Sequence, residues 1–257
     1  MVKWNHHYPI NREKIVPLFS EKFQITILEN LLKLNNPEFI PANESRSFIT
    51  IFDIYVRLLF RRRFKRVWIS QNYKPATESK TIYYLNHSSW WDGLIPLLLN
   101  QKVFHQNARA MMEDKQLKQH SFFKNIGAFS VNLENPRSAV KSLRYAVDSF
   151  DRPNSSLFIY PEGKIVPFSK DKPTFRKGLA WIAQKRPDVD VVPVGIYITS
   201  AKHDKPELYL SIGEKLVFDP ASDQENINRF FEEKLSDLLQ ELVENSQHTS
   251  HPFTKLV

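Results

Sequence analysis

Three short, almost wholly apolar runs that end on turn residues constrain this chain most. Thr81-Ile82-Tyr83-Tyr84-Leu85 stops at Asn86, Leu157-Phe158-Ile159-Tyr160 stops at Pro161-Glu162-Gly163, and Val192-Pro193-Val194-Gly195-Ile196 lies within the run 189–199. Strands this short with no polar alternation are covered on both faces, the condition of a parallel sheet enclosed by helices. Between the first two runs, Asn135 is placed to cap a helix whose first position is Pro136. Ala139, Leu143, Ala146, Val147 and Phe150 then share one face of it. The whole pattern alternates, with strands near 81–85, 102–105, 129–133, 156–160, 190–199 and 207–213. Helices fall near 90–100, 114–124, 136–150, 174–185 and 223–244, the last with Ile227, Phe230, Phe231, Leu235, Leu238, Leu239 and Leu242 on one stripe. The expected fold is α/β, a largely parallel mixed sheet flanked by helices.

Chemistry is concentrated where these runs end. His87 and Asp92 are five residues apart at the expected strand-to-helix junction. On one regular helix they would lie about 140° apart and never meet. With His87 closing the strand and Asp92 in the first helical turn, the carboxylate reaches the imidazole, fixes its tautomer and leaves Nε2 to take a proton from an alcohol. The plainer alternative is a helix cap with a first-turn acid near the positive end of the helix dipole. Glu162 is presented at the end of the second run, and the carboxyl ends of strands in an open α/β sheet share one crevice. Ser88 and Ser89 read as caps, since no glycine-flanked nucleophile elbow surrounds them.

Four motifs in order resemble the glycerolipid acyltransferases, the PlsC-like family typified by 1-acylglycerol-3-phosphate acyltransferase. The family's Asn-His-x-Ser-x-x-Asp matches Asn86, His87, Ser89 and Asp92; Gly-x-x-hydrophobic-Val corresponds to Gly127 to Val131. Phe-Pro-Glu-Gly-Thr corresponds to Tyr160-Pro161-Glu162-Gly163-Lys164, and Val-Pro-Val-Gly is Val192 to Gly195. The resemblance implies transfer of a fatty acyl group from a thioester on coenzyme A or an acyl carrier protein to a lipid hydroxyl, with no further cofactor. His87 is then the base and Asp92 its orienting partner. Asn86, Ser89, Glu162, Gly163, Lys164, Arg176 and Lys177 are the expected substrate-binding residues, and backbone N–H groups at the Pro161-Glu162-Gly163 turn the expected oxyanion donors. Arginines that grip the acceptor phosphate in phosphatidate-forming members are replaced here by Leu133 and Ile165. Neither side chain offers a guanidinium's rigid fork, so the expected acceptor is other than a simple phosphomonoester, such as a lysophospholipid with a substituted head group. A noncatalytic lipid carrier and a thioesterase are the alternatives.

Charge divides the chain. Lys and Arg outnumber Asp and Glu by 36 to 28; residues 1–75 hold thirteen basic and six acidic groups, and 201–257 six and eleven. The basic excess peaks between Arg57 and Arg66, directly after the apolar run Phe48 to Val56. The thirteen residues from Phe48 to Phe60 fall short of the roughly twenty needed to span a bilayer. A helix here suits a membrane interface. The expected organisation is a helical, basic, interfacial segment over 1–75, with a linker near 35–46, and an acyltransferase domain over 76–257. The protein is expected in the cytoplasm, bound peripherally to the inner face of a membrane. No nucleic-acid module accompanies the basic run, so no nucleic-acid partner is expected. The absence of cysteine excludes disulfides and thiolate sites. His6-His7 reads as an inert terminal pair, so no metal is expected, and the first residues show no secretory signal.

Overall fold

In the computed structural model, residues 39–169, 171–248 and 252–257 are described. His6, His7 and the front of the expected interfacial segment lie outside them. The chain runs α1 (Arg46–Arg63), β1 (Val67–Gln71), β2 (Thr81–Leu85), a 3₁₀ turn (Trp90–Leu94), α2 (Ile95–Leu99) and a π turn (Asn100–Phe104). There follow β3 (Asn107–Glu113), α3 (Asp114–Gln119), β4 (Ala128–Val131), α4 (Pro136–Asp148), β5 (Ser155–Ile159), α5 (Gly178–Lys185), β6 (Asp190–Thr199), β7 (Glu207–Ile212), α6 (Gln224–Gln247) and β8 (Thr254–Lys255).

The strands form one sheet in the order β4-β3-β5-β2-β6-β7-β1-β8. Five neighbours from β4 to β6 are parallel; β7 reverses against β6, β1 pairs parallel with β7, and β8 is antiparallel to β1. The period-2 pleat sorts the apolar residues onto two faces. Tyr83, Leu85, Phe158, Val192 and Val194 pack with α1 and α2, whereas Ile82, Tyr84, Leu157, Ile159 and Val191 pack with α4, α5 and α6. Both faces are thus covered, as the unalternating runs require. On α6, Ile227, Phe231, Leu235, Leu238 and Leu242 are buried. That helix lies close against β6 because Gly195 has no side chain: a Cβ there would come within 3.0 Å of Leu242.

The N-cap of α4 forms as expected, Asn135 Oδ1 accepting from the N–H groups of Arg137 and Ser138. Other expectations are corrected. Residues 102–105 are not a strand. Asn100 accepts from the Gln106 N–H and donates to its carbonyl, His105 closes the turn at φ 53°, and Phe104 stacks on Tyr83 at 4.0 Å. The apolar pair Val103-Phe104 therefore ends a helix, and the strand comes later as β3. The helix expected over 114–124 breaks into α3 and a 3₁₀ turn over Ser121–Ile126. Helix α5 begins at Gly178 rather than near 174, because the Phe175 N–H is taken by Glu232 of α6 and the Arg176 N–H by Pro161 O, leaving Lys177 as the N-cap.

The expected boundary after residue 75 does not divide the described residues. Phe39–Val257 is one compact unit, with β1 inside the sheet. The stretch expected as a linker is docked in its described part: Ser130 N–H donates to Ile40 O, Asn43 N–H to Lys124 O and Ser45 N–H to Asn125 O.

Candidate active site

Strand β2 ends at Leu85, and its last contact with β6 is made by a side chain. Asn86 donates from Nδ2 to Ile196 O at 2.9 Å and accepts from Ile196 N–H at 2.8 Å, adding a rung where the backbone ladder stops. Asn86 is thus buried and committed to the sheet, and serves the site by fixing the exit of the next residue.

That residue is His87. The chain folds back over Ser88 and Ser89 into the 3₁₀ turn, which brings Asp92 Oδ2 to 3.1 Å from His87 Nδ1. Asp92 is fully buried, and its carboxylate is saturated with donors. Oδ2 also accepts from Ser88 N–H at 2.6 Å and Ser89 N–H at 2.8 Å, and Oδ1 accepts from Ser89 Oγ at 2.7 Å. The same carboxylate thus caps the turn and contacts the imidazole. A buried charge with four partners is held rigidly, and it can accept the Nδ1 proton only with Nε2 left as the basic nitrogen.

A second layer comes from the turn after β5. Glu162 Oε2 accepts from His87 N–H at 3.2 Å, and burial pushes the Glu162 carboxyl up against the lowering pull of its bond to His87. Tyr160 lies with its ring 4.6 Å from the imidazole and donates its hydroxyl to the Asp92 carbonyl. Burial pushes that phenol well above its ordinary value, so it stays a donor. Val166 N–H donates to His87 O at 2.7 Å, strapping the loop after Gly163 across the histidine. Neither Tyr160 nor Val166 was singled out from sequence; the tyrosine standing at a phenylalanine position of the third motif was the available signal.

Gly163 adopts φ 69°, in the left-handed region, and its N–H donates to Tyr160 O, so this donor is taken by the turn rather than left for an oxyanion. A Cβ on Gly163 would stand 2.6 Å from Arg176 Nε and 3.4 Å from Leu133 Cδ1. Arg176, thirteen residues further along, therefore lies on the bare face of Gly163 and beside Leu133, with Nη1 at 3.5 Å from Leu133 O. Its backbone is anchored by its own N–H to Pro161 O, and the preceding Phe175 N–H donates to Glu232 of α6. Lys164 is exposed. Lys177 is not brought to the site in this way: its Nζ pairs with Glu225 of α6 at 3.1 Å.

A cavity of about 430 Å³ borders the centre through Gly93, the residue after Asp92, and is walled in part by Pro96, Leu97, Phe123 and Phe158. His87 is not part of its lining. Glu44, Arg109 and Arg152 meet on its wall, with Glu44 Oε1 accepting from both arginines at 2.8 and 3.0 Å.

Comparison with known proteins gives a consistent answer. Residues 65–197 match the family model described as Acyltransferase. No curated protein matches the chain. Among solved structures, the fold is similar to the crystal structure of the 1-acyl-sn-glycerophosphate acyltransferase PlsC from Thermotoga maritima. The TM-score is 0.56 and the identity 19%, with 76% of this chain and 79% of that one covered. The matched span carries His87, Asp92, Glu162 and the Val192-to-Gly195 motif, and the chain belongs to the acyltransferase family, an enzyme family.

Proposed function

We propose that the protein transfers a fatty acyl group from an acyl thioester, on coenzyme A or an acyl carrier protein, to the hydroxyl of a lysophospholipid. The observation that carries this reading is the 3.1 Å contact between His87 and a buried, donor-saturated Asp92 at the end of β2. The acceptor hydroxyl loses its proton to His87 Nε2 as its oxygen attacks the thioester carbonyl. Collapse of the tetrahedral intermediate expels the thiolate, which takes the proton back from the imidazolium. The thioester is already activated, so no covalent enzyme intermediate is required. Glu162 holds the His87 backbone and the acceptor side of the crevice rather than serving as a second base.

The acceptor's anionic group meets Arg176, the guanidinium packed on Gly163 beside Leu133. One fork in place of two suits the single charge of a phosphodiester better than the double charge of a phosphomonoester. The cavity behind Gly93 falls in the size range of small-molecule sites and takes the acyl chain. Helix α1 docks on the membrane surface, since Ile51, Ile54, Tyr55 and Leu58 are exposed along one face of it. No helix among the described residues is long and apolar enough to cross a membrane.

Purified protein given labelled acyl thioester and a panel of lyso-acceptors tests the reading. Acylated product forms with lysophosphodiesters in preference to lysophosphatidate, and His87→Ala lowers the rate by about 10² or more. Free fatty acid released without acceptor dependence, or full rate after His87→Ala, would refute it.

A further inference from the structure

We infer that the cleft between the basic end of α1 and β8 is a binding site for the headgroup of an anionic phospholipid, separate from the acyl-transfer centre. The cleft, about 460 Å³, is walled by Phe60, Phe64 and Leu256 among others and carries Arg61, Lys65 and Lys255. These three cations form no ion pair among the described residues, whereas nearby Arg57 pairs with Asp53 at 3.0 Å and Arg66 approaches Glu207 at 3.9 Å. Three like charges around one concavity, without an ion pair among the described residues, repel one another, and an anion seated among them relieves that repulsion.

The helix itself indicates which anion. Ile51, Ile54, Tyr55 and Leu58, each roughly half to two-thirds exposed, follow the spacing of one helical face. The same spacing continues into Arg61 and Arg62. An apolar stripe that turns cationic within one turn matches the boundary between acyl chains and phosphates in a bilayer, and no free phosphate would need the stripe. Phe60 and Phe64 also pack edge-on against Trp91, and Arg63 lies over the same ring, one residue from Asp92. A lipid held in the cleft therefore fixes the helix that braces the catalytic turn.

This inference rests on the membrane docking of α1 proposed above, and the experiment separates the two. The full-length protein is floated with phosphatidylcholine vesicles, with and without phosphatidylglycerol. Three variants accompany it: Arg61→Gln/Lys65→Gln/Lys255→Gln; the charge-matched Arg144→Gln/Lys185→Gln/Arg229→Gln on the opposite face of the sheet; and Ile51→Ser/Leu58→Ser. Acyl transfer to detergent-dispersed acceptor stays unchanged in the cleft variant and verifies its fold. The cleft variant loses about 10- to 100-fold of the preference for phosphatidylglycerol at low salt, the range set by about fivefold per basic residue before screening. The charge-matched variant loses less than about threefold by the same reasoning.

Equal losses in the two triple variants, or none in the first, would overturn the cleft assignment. Release by Ile51→Ser/Leu58→Ser with the cleft variant floating like wild type would leave docking standing and the cleft without its lipid. Failure of wild type to float on either vesicle would remove both. Binding of purified acyl carrier protein that the cleft substitutions abolish, with flotation unchanged, would assign the cleft to that acidic protein instead.

Discussion

Asp92→Asn is the most discriminating perturbation, because the local hydrogen bonds decide how the amide must sit. Oδ2 faces three donors: His87 Nδ1–H and the N–H groups of Ser88 and Ser89. An NH₂ turned toward them would leave at least two partly buried N–H groups without their acceptor, at roughly 1–3 kcal/mol each as an upper range. With the amide oxygen kept there, the NH₂ meets only the Ser89 hydroxyl, which rotates from donor to acceptor without cost to the backbone. The histidine therefore keeps its tautomer, and what disappears is the negative charge opposite the imidazolium that forms during attack. Unit charges at about 4 Å and an effective dielectric constant near 20 interact by about 4 kcal/mol, and an imidazolium only partly formed in the transition state realises roughly 2–3 of these. The corresponding loss in kcat is about 30- to 160-fold. Acyl transfer measured at saturating thioester and acceptor, with thermal unfolding as a control, reads it directly. A loss near 10⁴ equal to that of Asp92→Ala would mean that the amide had flipped and the tautomer with it. A rate within about threefold of wild type would mean that the carboxylate only caps the turn, and the base assignment would fail.

Other perturbations probe the surrounding structure. Gly163→Ala forces a side chain into a left-handed backbone at roughly 1–2 kcal/mol and drives its methyl into Arg176; acceptor KM rises about tenfold, Arg176→Ala does the same, and the double variant is no worse than either. Additive effects would separate Arg176 from the acceptor. Gly93 lines the cavity and nothing lies within 4 Å of a Cβ there, so Gly93→Leu moves the product profile to shorter acyl chains, with thermal unfolding as the control for the fold; an unchanged profile in a folded variant would exclude this cavity as the acyl site. The Arg186 guanidinium beside Asp188, aided by Lys80, holds that carboxyl well below its ordinary 3.8. Its folded pKa lies below the unfolded one, so its stabilisation is present above 3.8 and fades as pH falls toward the folded value. Urea unfolding should find Asp188→Asn less stable than wild type at neutral pH, with the gap closing in acid; a gap constant with pH would contradict the pairing.

The parts of the fold legible in the sequence are those whose burial leaves a pattern. Strands β2, β5 and β6 carry near-continuous apolar runs because helices cover both their faces, and Asn135-Pro136 announces α4 by capping its first N–H groups. Strand β3 is hidden because its Ala, Met and Arg residues lack strand character, and its place is set by neighbours β4 and β5. Strand β1 was masked by the basic run before it; its partner β7 lies about 140 residues away, a pairing that no local window contains. In the site, the His87–Asp92 contact was legible because the two residues share one short turn. Arg176 was a candidate without an address: what brings it to Gly163 and Leu133 is the grip of α6 on Phe175, a tertiary effect. The same helix takes Lys177 into an ion pair with Glu225.

The segment after β5 leaves and returns to the same point, since Arg176 N–H bonds to Pro161 O. Its opening stretch is sewn to His87 by Val166, and its closing stretch to α6 by Phe175. Between those ties the Phe168 ring lies 4.9 Å from Tyr197 of β6 and Ser169 Oγ bonds to Asp171, so the segment is fastened along its described length as well as at its ends. Arg176 at the stem and His87 beneath the strap are thereby spaced by one fastened loop, and loosening either tie would reach both.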